Sequence, residues 1–137
     1  MRTPTFKENK LVKHSVKMTV NENIESNLSY FSGTEQWHRL TFLPVLGSDG
    51  VKYLAEKAEA FWLIDAIAAH LPAVKATGDR MATVKLLKRK HDWLLTLETL
   101  DKTISQEIEY SDFQFNEITL YLCDNGFSWC LLLPNEY

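Results

Sequence analysis

The hydrophobic period of this chain switches near residue 80. From Val51 to Leu71, Val51, Leu54, Ala55, Ala58, Trp62 and Ala69 fall on one face at about 100° per residue; from Met81 onward apolar residues recur every second position. A helix-period block followed by strand-period blocks buries both apolar faces when the helix lies on a sheet, so the expected class is α+β. The expected architecture is an antiparallel β-meander of about five to six strands packed against one long central helix, with a short N-terminal helix.

Local signals fill in this frame. Ile24, Leu28 and Phe31 share a helical face that Asn21 or Asn23 can cap and Gly33 can end. Residues 36–43 alternate until Pro44, which reads as a strand, and Gly47-Ser48-Asp49-Gly50 reads as a turn that supplies an N-cap. Beyond Glu59 the run Ala60-Phe61-Trp62-Leu63-Ile64 is apolar all round, and Pro72 is expected to end the helix. With Lys90-His91 as a turn, Val84 lies opposite Leu97, Leu86 opposite Leu95, Lys85 opposite Thr96 and Thr83 opposite Glu98, giving one apolar and one polar face. Ile104 and Ile108 then share a face. Asp124-Asn125-Gly126 carries the Asn-Gly signal of a type I′ turn, which sets Leu122 opposite Trp129, Leu120 opposite Leu131 and Ile118 opposite Leu133. In that register Cys123 faces Ser128, Cys130 faces Tyr121, and the two cysteines are diagonal neighbours.

Composition narrows the function classes. Seven Phe, five Tyr and four Trp argue against intrinsic disorder, and no apolar run approaches the ~20 residues of a membrane span. The N-terminus is polar and basic, without the apolar core of a signal peptide, so a cytoplasmic location is expected, with no membrane association. Two cysteines without a Cys-x-x-Cys spacing fit a reducing compartment. Charge is uneven: residues 1–20 carry five Lys/Arg against Glu8, while residues 98–137 hold Lys102 against eight acids. The chain therefore divides into a basic, flexible or partner-ordered arm at 1–20 and a single α+β domain at 21–137, whose acidic sheet surface suits a basic partner.

Candidate chemistry is sparse. Asp65 falls between Leu54, Ala58 and Trp62 on the helical projection, where a carboxylate must find donors or take up a proton; it is either a structural acid held by backbone amides or Arg39, or a general acid or base. Glu35 and His38 sit between a helix end and a strand and complete a candidate acid-base set with Asp65. No metal is expected, because His14, His38, His70, His91 and the cysteines lack ligand spacing, and no cofactor is expected, because no glycine-rich phosphate cradle occurs. A nucleic-acid interface would use Lys85, Lys88, Arg89 and Lys90 at one hairpin tip, with His91 and Trp93. A protein interface would use the acids Glu98, Glu107, Glu109, Asp112 and Glu117.

The segments Phe-Ser-Gly-Thr-Glu-Gln-Trp (31–37), Asp-Gly-Val-Lys-Tyr-Leu-Ala-Glu-Lys-Ala (49–58), Phe-Trp-Leu-Ile-Asp-Ala-Ile-Ala (61–68) and Leu-Leu-Leu-Pro-Asn-Glu-Tyr (131–137) resemble a small bacterial domain family of unknown function, found in chromosomes, plasmids and phage-like elements. The resemblance spans about residues 28–137 and marks Trp62, Asp65 and Pro134–Tyr137 as the family's own pattern; the basic arm and a longer first hairpin depart from it. It carries no activity with it. The leading expectation is a non-enzymatic protein-interaction or inhibitor-type accessory protein, of the kind a mobile element or phage uses against host defence, that binds a protein through its acidic sheet surface. The alternatives are a small enzyme with an acid-base pocket around Asp65 and a nucleic-acid-binding module at the basic hairpin tip.

Overall fold

A computed structural model describes residues 24, 26–109 and 111–137. Strands β1 (His38–Arg39) and β2 (Val45–Gly47) precede helices α1 (Asp49–Lys57), α2 (Phe61–Ala69) and α3 (Leu71–Ala76). Strands β3 (Met81–Lys88), β4 (Trp93–Glu98), β5 (Thr103–Ile108), β6 (Glu117–Asp124) and β7 (Trp129–Leu132) follow, and a 3-10 turn closes the chain at Pro134–Glu136. The basic arm at 1–20 and the capping residues Asn21 and Asn23 lie outside the described residues. Ile24 and residues 26–28 are helical, with Ile24 buried and Leu28 and Phe31 packed against the core, as their spacing requires.

The class is α+β, but the sheet is larger than the expected five to six strands and is not a pure meander. Seven strands run in the order β1-β2-β7-β6-β3-β4-β5, and β2 pairs with β7 in parallel. Only two residues of the first alternating stretch form β1, because the chain bends through residues 41–44 and β2, starting after Pro44, folds back antiparallel onto it. The β3–β4 hairpin has the expected register: Val84 opposite Leu97, Leu86 opposite Leu95, Lys85 opposite Thr96 and Thr83 opposite Glu98. Ile104, Gln106 and Ile108 of β5 continue the apolar side through Leu97, Leu95 and Trp93.

The last hairpin is shifted by two residues from its expected register. Leu122 faces Leu131, and Cys123 faces Cys130 directly instead of diagonally. The Asn125 side chain causes the shift: its Oδ1 accepts from the backbone N–H of both Phe127 and Ser128 at 2.9 Å, while Asn125 N–H donates to Ser128 O at 3.0 Å. These bonds close a four-residue loop in which Gly126, at φ 97°, takes the left-handed conformation. An even shift preserves which face each residue occupies, so the apolar faces still match.

The single long helix is three helices. Glu59 has φ 53°, and Ala60 N–H donates back to Ala55 O at 2.9 Å, a Schellman-type closure that ends α1 without a glycine. The phase computed through residue 58 is lost there, and α2 restarts with Leu63, Ile64, Ile67 and Ala68 buried. Asp65 then points to solvent, so its expected place within the apolar stripe is corrected. Pro72 does not end a helix; it sits in the first turn of α3, where its missing N–H leaves no bond unmade.

The core lies between the helices and one sheet face. Val84, Leu86, Leu95, Leu97, Leu120, Leu122 and Leu131 project from alternate strand positions onto Leu54, Leu63, Ile64 and Ile67. Phe113 and Phe115, from the β5–β6 connection, close its end in edge-to-face contacts with each other, Trp62 and Trp93. The other sheet face, hereafter the outer face, carries exposed or half-buried Lys85, Leu87, Leu94, Thr96, Glu98, Ser105, Glu107, Glu117 and Thr119. Among the described residues no helix is long and apolar enough to cross a membrane.

Candidate functional site

The N-terminus of α1 brings together residues from three of the four resemblance-bearing segments, 31–37, 49–58 and 131–137. Ser48 is its N-cap, accepting from Val51 N–H at 3.1 Å and donating through Oγ to Glu136 Oε1 at 2.5 Å. Glu136 is buried and also accepts from Leu133 N–H and Gly50 N–H, each at 2.9 Å. A carboxylate there satisfies amides that a helix start leaves unpaired and meets the positive end of its dipole. Gly50 is required by this approach, since a Cβ at that position would lie 2.5 Å from Leu133 Cδ1 and 2.8 Å from Glu136 Oε1. The terminal Pro-Asn-Glu-Tyr is thereby a lock on α1, and its Tyr137 remains exposed, edge-on to Tyr121.

Beside this lock lies a cleft of about 240 Å³ lined by Phe31, His38, Asp49, Lys52, Tyr53 and Glu56. His38 Nε2 and Asp49 Oδ1 are 2.7 Å apart. Asp49 Oδ2 accepts from Glu35 N–H at 2.9 Å, and Asp49 N–H donates to Thr34 Oγ1 at 2.9 Å. The Glu35 amide, then the His38 ring, hold the Asp49 carboxyl below its ordinary value against a smaller opposing effect of burial. Lys52 pairs with Glu56 at 3.1 Å, and Tyr53 Oη accepts from Asn27 Nδ2 at 2.8 Å. An imidazole oriented by a carboxylate can exchange protons with a ligand in the cleft.

The three acid-base candidates do not converge. Glu35 contributes its backbone amide while its side chain is exposed, His38 is held by Asp49, and Asp65 faces solvent on α2. Asp49, Lys52, Tyr53 and Glu56 were not singled out by sequence, although they recur at i, i+3, i+4 and i+7 of one helix.

At the basic tip, Arg89 is bound by Asp92 through two bonds of 2.7 and 2.6 Å and lies 3.6 Å from Glu107. Lys88 Nζ stands 5.9 Å from the centroid of the Trp93 ring on the core side, whereas Lys85 is on the outer face and Lys90 is exposed at the turn. The five acids of the expected interface are all exposed. Strand register puts Glu98, Glu107 and Glu117 on the outer face; Glu109 and Asp112 follow β5 in the connection to β6. Glu117, Leu87, Leu94 and Glu107 form one cross-strand row, two carboxylates bracketing two leucines.

Cys123 and Cys130 are free and buried. Burial pushes the Cys123 thiol up to about 11, and burial also raises Cys130, whose sulfur is reached by Asn125 Nδ2 at 3.3 Å. Neither is an activated nucleophile. Among the described residues no group of three or more His, Cys, Asp or Glu side chains is arranged to hold a metal ion.

One family model, described as a family of unknown function (DUF6876), matches residues 22–137. No curated protein and no solved structure matches the chain.

Proposed function

We propose that this chain, which belongs to that family of unknown function through residues 22–137, is a non-enzymatic interaction protein that binds a basic protein partner through the outer face of its sheet. The observation that carries this reading is the row Glu117-Leu87-Leu94-Glu107, in which Leu87 is 44% exposed between strands bearing carboxylates. An apolar centre with a charged rim is the anatomy of a protein interface, and carboxylates at the rim steer a basic partner and fix its register. The same face carries Glu98, and Glu109 and Asp112 follow in the connection from β5 to β6. The resemblance to domains of plasmids and phage-like elements directs this reading to an accessory or counter-defence role. Affinity capture from host lysate tests it: wild type retains a stoichiometric partner, and the triple variant Glu98→Lys, Glu107→Lys, Glu117→Lys loses it while keeping its circular dichroism and Tm.

The His38–Asp49 pair supports a second function, acid-base work on a small polar ligand in the cleft beside Lys52, Tyr53 and Glu56. Displacement of the His38 ring resonances by a metabolite panel, absent in Asp49→Asn, is its test.

A further inference from the structure

The outer face ends at β5, and β5 ends the sheet: no strand pairs with its far side among the described residues. Six residues long, it presents a row of backbone groups whose orientation follows from the adjoining turn. Thr99 N–H donates to Lys102 O at 2.8 Å, so alternation along the ladder turns the backbone of Ile104, Gln106 and Ile108 toward β4. The N–H and C=O groups of Thr103, Ser105 and Glu107 then point outward, with no strand among the described residues to receive them. Natural sheets commonly blunt such edges with charged side chains, proline or a bulge; Thr103-Ile104-Ser105-Gln106-Glu107-Ile108 has no proline or bulge, and its one charge, Glu107, turns away an acidic strand but not a basic one.

The side chains specify what would pair there. On the core side, Ile104 and Ile108 are half-buried, so apolar surface continues to the edge. On the outer side stand Thr103, Ser105 and Glu107, and Glu109 follows. Alternate residues of an added strand would therefore meet Ile104 and Ile108, with Gln106 between them held by His70 at 2.7 Å, on one face, and Thr103, Ser105 and the carboxylate of Glu107 on the other. Resting on the interaction reading above, we propose that the basic partner binds by strand addition: an extended segment alternating apolar with Lys or Arg residues pairs with β5 and lengthens the sheet. Main-chain bonds to Thr103, Ser105 and Glu107 supply affinity, and the isoleucines on one side with Glu107 on the other select the segment. Arg89, 3.6 Å from Glu107, is the cation the incoming lysine or arginine must displace or share with.

The probe is the peptide Lys-Val-Lys-Val-Lys-Val-Lys, added to the isotope-labelled full chain, with a control peptide bearing Glu in place of Lys. Binding should slow amide exchange at Ser105 and Glu107 while Ile104 and Gln106, already paired with β4, stay unchanged; the acidic control should not bind. Ser105→Pro removes an outward N–H and leaves the β4 ladder intact, so it should keep the Tm within a few degrees and weaken the peptide about tenfold or more. Glu107→Lys should weaken it without touching the backbone. If the peptide binds, Glu107→Lys weakens it, and Ser105→Pro and the exchange rates do not respond, strand addition is overturned and the acidic face stands. If the peptide fails to bind while the triple lysine variant still loses its lysate partner, strand addition by a basic segment is again the part that fails. If neither the peptide nor the lysate partner responds to charge reversal, both readings fall.

Discussion

Ser48 Oγ donates to Glu136 Oε1 across 88 residues of sequence, joining the cap of α1 to the last turn of the chain. The same carboxylate takes the amides of Gly50 and Leu133, so one buried side chain fixes a helix start, a strand end and the terminal 3-10 turn. Glu136→Ala leaves three donors unpaired in a buried site and should cost about 3 kcal/mol of stability. Ser48→Ala removes a cap and one of those bonds and should cost about 1–2 kcal/mol. Urea unfolding followed by tryptophan fluorescence measures both, and values under half a kilocalorie would show that the lock does not hold the fold.

Glu59 occupies the left-handed region that closes α1. Glu59→Gly relieves the steric cost of that conformation and should be neutral to stabilising, by up to about 1 kcal/mol, while a β-branched Glu59→Val should destabilise by about 1–2 kcal/mol. Thermal unfolding separates the two substitutions by their opposite shifts in Tm.

The Asp49 carboxyl, ordinarily near 3.8, is held lower in the fold by the Glu35 amide and the His38 ring. A depressed folded value means that its stabilising contribution is complete above the unfolded value and is lost as pH falls through the folded one. Urea midpoints should therefore drop on acidification through and below about pH 4, and Asp49→Asn should lower the neutral-pH midpoint while flattening that acid limb. An acid limb identical in the variant would assign the effect to other carboxylates.

Buried thiols with raised values should resist alkylation. Mass spectrometry after iodoacetamide at neutral pH should find Cys123 and Cys130 unmodified in native protein and both modified in denaturant.

The sheet half of this fold was legible because alternation and turn length reinforce each other: alternation puts Val84, Leu86, Leu95 and Leu97 on one face, and the two-residue turn at Lys90-His91 picks, among the even shifts, the one that pairs Val84 with Leu97 and Leu86 with Leu95. The last hairpin kept its faces but not its register, because Asn125 bonds two amides of its own loop and so lengthens a turn that Asn-Gly alone would make shorter. The helix break is hidden since Glu59, not a glycine, takes the left-handed position, and a helical projection continued across it places Asp65 on the buried side instead of the exposed one. The parallel β2–β7 pair was out of reach for a different reason: nothing local encodes a contact between Val45 and Trp129, residues far apart in sequence whose strands meet beside the Ser48–Glu136 bond. His38 is visible as a loop histidine, whereas the sequence marks its partner Asp49 only as part of a turn that supplies an N-cap, because a helix's first residue shows its side-chain role only once the chain before it has folded back.

Carboxyl footprinting of the full chain, free and bound to its captured partner, tests the central claim most directly. The account predicts that carbodiimide labelling of Glu98, Glu107 and Glu117 falls several-fold in the complex, while the exposed acids Glu35, Glu56 and Asp65 on the other elements label as before. Protection of Glu35 and Glu56 with the outer face still labelled would contradict it and place the functional surface at the His38–Asp49 cleft.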